Sequence, residues 1–127
     1  MLGLRLDHLV LTVRDIDVTV HFYTTVLGMT AQSFGEGRQA LRFGDQKLNL
    51  HQAGNEFQPR ADVPTPGSAD LCLITETTLE RAMAHVRACG VTIIEGPVRR
   101  TGATGPLVSF YLRDPDGNLI EIANRHG

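Results

Sequence analysis

The sequence predicts an α+β fold: two tandem βαβββ modules whose curved mixed sheets surround a cleft. Three observations predict it. The stretch Leu4-Arg5-Leu6-Asp7-His8-Leu9-Val10-Leu11-Thr12-Val13 returns in altered form at Gly67–Thr75, with His8 and Asp70, Leu11 and Leu73, Gly28 and Gly90, and Thr30 and Thr92 each 62 residues apart. Each copy reads strand, helix, glycine, strand, and a fixed internal period is read before any single motif. Each copy then closes with β-rich runs separated by turn residues. The 127 residues are read as one domain, with module 1 over 1–52, a linker loop over 53–67 and module 2 over 68–127.

The elements follow in order. Leu4 to Val13 carries apolar residues on both faces, as a central strand covered on both sides would. Asp15 suits an N-cap and Asp17 the first helical turn, while Ile16, Val20, Tyr23 and Leu27 recur at helical spacing and Gly28 ends the helix. Strands are expected near Met29–Phe34, Ala40–Phe43 and Lys47–His51, broken at Gly35-Glu36-Gly37 and Gly44-Asp45. In the second copy, Ala69–Thr75 is the strand, Thr77 and Glu80 form a capping box, Leu79, Met83 and Val86 form the helical stripe, and Gly90 is the cap. Strands near Val91–Glu95, Leu107–Leu112 and Leu119–Ala123 complete it, the last two joined by Asp114-Pro115-Asp116-Gly117-Asn118. Aligning the closing turns sets Asn49 opposite Glu121 in the repeat. The insertion Arg99–Pro106 reads as a lid or substrate loop, with an ordinary hairpin connection as the alternative.

Composition excludes several classes. Twelve basic against 14 acidic residues, with no basic stripe, offer no footprint for nucleic acid or anionic lipid. Cys72 and Cys89 lack zinc spacing and read as reduced core residues. The first residues have neither a signal-peptide pattern nor a span of membrane length, so a soluble, cytoplasmic protein is expected. There is no dinucleotide-type glycine cradle, nucleophile elbow or Cys-His pair.

What remains is a set of polar residues at the first and last strands of both copies. His8 and Asp70 are equivalent in the repeat, Asn49 and His51 share a strand face, and Glu121 opposes the apolar face of Ile120 and Ile122. Taken singly, each has a plain explanation: a hydrogen-bonded rim histidine, a strand-terminating aspartate, a strand-end histidine facing water, an edge-strand glutamate. Their joint occurrence favours a site, and this donor mixture suits Mn²⁺, Fe²⁺, Ni²⁺ or Mg²⁺ better than a structural zinc. His21 and His85 lie on helices outside the apolar stripes and are read as solvated, and His126, in the terminal tail, is the weakest candidate.

At these residues the chain resembles the vicinal oxygen chelate superfamily, which includes glyoxalase I, bleomycin and fosfomycin resistance proteins, extradiol dioxygenases and methylmalonyl-CoA epimerase. The resemblance rests on Asp7–Val13, on Phe22-Tyr23 with Val26-Leu27-Gly28-Met29, and on Arg113–Glu121. Through Phe43–His51 and Pro66–Thr75 the chain is most similar to glyoxalase-domain proteins labelled virulence proteins. The resemblance implies a divalent metal (Mn, Fe, Ni, Zn or Mg) held by His8 and Glu121, with Asp70 or His51 as third ligand. Asp70 stands where the family usually has a second histidine, and Asn49 where glyoxalase I has a glutamate. Val10 replaces the small polar residue of fosfomycin transferases, which disfavours that activity.

The implied function is a metal-dependent enzyme of the glyoxalase or dioxygenase type, a lyase, isomerase or dioxygenase that chelates vicinal oxygens of a small substrate. Glu121 and Asp70 are its candidate catalytic carboxylates, and Asn49, Arg99 and Arg100 its candidate substrate contacts. The alternative is a metal-free small-molecule-binding protein of the bleomycin-resistance type. A homodimer is expected, with His8 and His51 of one subunit facing Asp70 and Glu121 of the other.

Overall fold

The computed structural model of the chain describes residues 2–126, which divide into two compact units, one ending at Gly67 and the other beginning at Ser68. Each unit follows the βαβββ order that the repeat predicts. The first contains β1 (His8–Val13), α1 (Ile16–Thr25), β2 (Thr30–Phe34), β3 (Arg38–Phe43) and β4 (Gln46–Gln52). Its sheet has the order β1-β4-β3-β2, with β1 parallel to β4 and the other neighbours antiparallel.

Helix α1 begins where Asp15 holds an extended conformation and its carboxylate accepts the Val18 amide proton at 3.1 Å. Past its end, Gly28 takes a φ of +71°, and the Met29 amide bonds back to the Tyr23 carbonyl at 3.1 Å, turning the chain into β2. Alternation along the strands sends Leu11, Val13, Leu41, Leu48 and Leu50 to one face, where they are buried together with Tyr23 of the helix. Among the described residues of this unit, no helix packs on the opposite face. One expectation is corrected here: β1 is an edge strand rather than a central one, and residues 2–10 are exposed. Apolar residues on both sides of a strand register demand for cover, but not whether the same unit supplies it.

The second unit contains β5 (Asp70–Ile74), α2 (Leu79–Ala88), β6 (Glu95–Gly102), β7 (Gly105–Arg113) and β8 (Leu119–Arg125), in the sheet order β5-β8-β7-β6. The predicted stripe Leu79, Met83 and Val86 is buried, as are Phe110, Leu112, Ile120 and Ile122 on the sheet face opposite Glu121. The helix cap differs by one residue. Thr78, not Thr77, accepts the Arg81 amide at 3.4 Å, because Asn124 of β8 reaches across to take the Leu79 amide at 2.8 Å and so sets where the helix starts.

Two further expectations change. Residues 91–94 form no strand; β6 begins at Glu95 and runs through the segment read as a loop. Arg99–Pro106 is a β-hairpin rather than a lid, with Thr101 opposite Pro106 and Gly102 opposite Gly105. Glycine permits it, since a Cβ at Gly102 would lie 2.9 Å from the Leu107 side chain. Arg125 pins the tip by donating to the Thr104 hydroxyl at 2.5 Å. The β7–β8 turn is tied from within: Asp114 accepts the amides of Asp116 and Asn118 at 2.9 Å, and Asn118 accepts the Ala69 amide at 2.8 Å, joining the turn to the start of β5. Among the described residues no helix is long and apolar enough to cross a membrane.

Candidate functional site

In the first unit, the strand register places the candidates on the face that α1 leaves open. His8 pairs with Lys47, Val10 with Asn49 and Thr12 with His51, so all six side chains share one side of the sheet. Arg38 and Arg42, from β3, share it too. The His8 imidazole is bound through Nδ1 to the Asp7 carboxylate at 2.9 Å, and that hydrogen bond holds Asp7 below the usual aspartate range. A carboxylate of lowered pKa is an acceptor, so the imidazole is the donor in this contact.

His51 differs from expectation in being buried rather than solvent-facing at the strand end, with only 7% of its surface exposed. Phe57, from the loop after β4, packs edge to face on its ring at 5.7 Å, and Arg38 stacks over Phe57 at 4.4 Å. Burial first, and the Arg38 charge second, hold the His51 pKa below its ordinary value against the opposing pull of Glu56. The Asn49 Oδ1 atom is buried and accepts no hydrogen bond among the described residues.

In the second unit, Glu121 lies on β8, between β5 and β7, so it is a central-strand residue rather than an edge one. Cys72 of β5 pairs with it on one side and Tyr111 of β7 on the other. Both neighbours are weakened as acids. Desolvation leads, and the charge of Glu121 and a hydrogen bond to it add to the shift, so the Cys72 thiol rises to about 11. Tyr111 also rises, through burial and Glu121, against the opposing hydrogen bond from Arg100. Cys72 is exposed and therefore is not the core residue that its apolar sequence neighbours suggest.

Two open hollows mark this face. One of about 550 Å³ is bordered by Asp70, Glu95, Arg100, Tyr111, Arg113 and Glu121, and one of about 390 Å³ by Cys72, Arg100, Leu107, Glu121 and Arg125 among others. Asp70 and Glu121 thus meet around one hollow. Arg99 and Arg100, adjacent in a strand, point to opposite sides of the sheet, and Arg100 is the one on the Glu121 side. Among the described residues no three His, Cys, Asp or Glu side chains gather as a metal-holding group. Tyr111 is the participant that sequence reasoning missed. Its position two residues after Ser109 and one after the buried Phe110 shows a strand side chain facing away from the core, but only the β7–β8 register sets it beside Glu121.

The comparisons with known proteins agree with this architecture. The model of the Glyoxalase/Bleomycin resistance protein/Dioxygenase superfamily matches residues 5–122. Virulence protein STM3117 of Salmonella typhimurium is 58% identical over 119 residues, covering 94% of this chain and 83% of its own. Glyoxalase domain-containing protein RDO1 of Mycosarcoma maydis is 55% identical over 119 residues, covering 94% of this chain and 67% of its own. Among solved structures, the integron cassette protein VCH_CASS1 from the mobile metagenome of V. cholerae superimposes with a TM-score of 0.97 at 63% identity, covering 99% of this chain and 98% of that one. The fold alone is shared with TnmS3, an antibiotic binding protein from Streptomyces sp. CB03234, at a TM-score of 0.76 and 21% identity over 99% of both chains. It is shared likewise with lactoylglutathione lyase from Agrobacterium tumefaciens, at 0.74 and 19% over 98% of this chain and 96% of that one.

Proposed function

Because the chain belongs to the Glyoxalase/Bleomycin resistance protein/Dioxygenase superfamily, we propose that it is a metal-dependent enzyme of the glyoxalase or extradiol-dioxygenase type, acting on a small substrate with two vicinal oxygens. The observation that carries this reading is the Asp7–His8 pair. The carboxylate that meets His8 Nδ1 at 2.9 Å orients the ring, as carboxylate partners of metal-ligating imidazoles do. The orphaned Asn49 Oδ1 on the same sheet face fits as well, since a buried oxygen without a donor is satisfied by a cation.

The ion's ligands would be His8 and Glu121 with Asp70 as third, His51 being less suited because Phe57 packs over it, and Asn49 a weaker contributor. Such an ion, when bound, supplies Lewis-acid stabilisation of a developing oxyanion. The proton work falls to the chain's carboxylates. Glu121 is the base, held between the protonated Tyr111 hydroxyl and Cys72 thiol, and Asp70 stands in the same hollow as a second carboxylate.

The functional form is a homodimer in a reducing, cytoplasmic setting that suits two cysteines not joined in a disulfide. Val10 and Ile74, on the helix-free faces of the two sheets, are 42% and 44% exposed and invite cover by a second copy. The competing reading, a metal-free protein that sequesters a small molecule, is favoured by the neutral amide of Asn49 where glyoxalase I carries a carboxylate.

Metal content of tag-free protein, followed by calorimetric titration with Mn²⁺, Ni²⁺ and Zn²⁺, separates the two. Affinity at least tenfold weaker in His8→Ala and in Glu121→Gln is expected. Equal affinity in wild type and His8→Ala overturns the metal site and leaves the sequestering protein.

A further inference from the structure

One side chain organises the open face of the second unit. Arg100 pairs in register with Leu107, yet its guanidinium extends along β7 to Tyr111. Nε donates to the Tyr111 hydroxyl at 2.8 Å, Nη1 to the Arg99 carbonyl at 2.9 Å and Nη2 to Glu95 Oε2 at 3.1 Å. A guanidinium holds five N–H groups in one plane. These three contacts leave one N–H on each terminal nitrogen for a further acceptor.

The surroundings decide where an anion goes. Arg100 and Glu121 line both hollows, and the larger is bordered by three carboxylates, Asp70, Glu95 and Glu121, which repel an anion. Arg113 also borders the larger hollow, where its Nη1 donates to the Gly117 carbonyl at 3.3 Å. Arg125 is held at the hairpin tip by Thr104. Of these three arginines, Arg100 is the one that lines both hollows with Glu121. On the same side of β7, two residues before Tyr111, Ser109 has a fully buried hydroxyl with no partner among the described residues.

We infer that Arg100 anchors the carboxylate of the substrate, which makes the substrate class a short oxygenated carboxylic acid anion whose neighbouring, oxygen-bearing carbon lies against Glu121. This rests on the reading of Glu121 as the reacting carboxylate and adds the anionic end of the substrate to it. One of the two vicinal oxygens is then borne by the carbon next to the anchored group. Glu95 occupies the guanidinium as a resident counter-anion that competes with the ligand for it.

The test uses the full chain without added metal and reads binding from amide and Arg Nε–H chemical shifts. The probes are glycolate, lactate and malate, with lactamide as the neutral isostere of lactate. The expected result is saturable binding of at least one carboxylate and none of lactamide. Arg100→Gln weakens that binding at least tenfold, Arg100→Lys less, and Glu95→Gln tightens it several-fold by releasing the guanidinium. The tightening in Glu95→Gln is a result that a merely structural Arg100 would not produce, and it decides the matter if Arg100→Gln does not fold. Equal binding of lactate and lactamide, no binding of any carboxylate, or no response to Glu95→Gln overturns the inference. Mn²⁺ titration of the wild type reads the metal assignment separately. Metal bound with carboxylates ignored removes only the anchor, and carboxylates bound through Arg100 with no metal removes only the metal reading.

Discussion

The Phe57 ring closes edge to face on the His51 imidazole at 5.7 Å, so a loop residue covers a strand histidine. The His51 pKa is depressed by burial and by Arg38, from an ordinary value of 6.5. Between the folded and unfolded pKa values the unfolded chain binds more protons, so the contribution to stability is complete above pH 6.5 and is lost as pH falls toward the folded pKa. Phe57→Ala is expected to raise the His51 pKa toward its ordinary value and to flatten this slope. NMR titration of the imidazole and denaturation at several pH values check it, and an unchanged pKa refutes it.

Asn118 is fully buried and makes three bonds at the β7–β8 turn: its amide and Nδ2 donate to Asp114 at 2.9 and 2.8 Å, and Oδ1 accepts the Ala69 amide at 2.8 Å. Asn118→Ala leaves an Asp114 oxygen and the Ala69 amide without their partner. The expected loss is about 2–3 kcal/mol by urea denaturation.

At Ser109 the sign reverses. Its hydroxyl is already buried without a partner among the described residues, so Ser109→Ala removes an unmet group rather than a bond. Stability unchanged or higher is expected in the same assay, and a loss above about 1 kcal/mol would show that the hydroxyl is satisfied after all.

Gly96 sits at a φ of +125°, and a Cβ there would lie 2.6 Å from the Cα and Cβ of Phe110 and 2.7 Å from the Ser109 carbonyl oxygen. Backbone does not yield as a flexible side-chain tip does. Gly96→Ala should therefore separate β6 from β7 locally, costing about 3 kcal/mol or more. Gly117→Ala, with nothing within 4 Å of the added carbon, carries only the strain of its φ of +89° and should lose less.

The dimer proposal has its own test in complementation. Mixing His8→Ala with Glu121→Ala under subunit exchange forms heterodimers with one intact and one doubly damaged site, so part of the metal binding should return. If exchange is verified and no binding returns, the shared site is excluded.

The repeat, the helical stripe of Leu79, Met83 and Val86, and the capping role of Asp15 were determined by sequence alone, because side-chain periodicity and capping act over a few residues. So was the equivalence of Asn49 and Glu121: Val10 pairs with Asn49 and Cys72 with Glu121, and Val10 and Cys72 stand at the repeat's own spacing. Only the tertiary structure decided the rest. That β1 lies at an edge, that Arg99–Pro106 is a hairpin, that Cys72 is exposed, and that Arg100 reaches Tyr111 beside Glu121 all depend on which distant strands pair and in what register. His51 illustrates the same limit. Its strand position was legible, but its burial under Phe57 was not, since a loop's path over a sheet is set by long-range packing that leaves no period in the sequence.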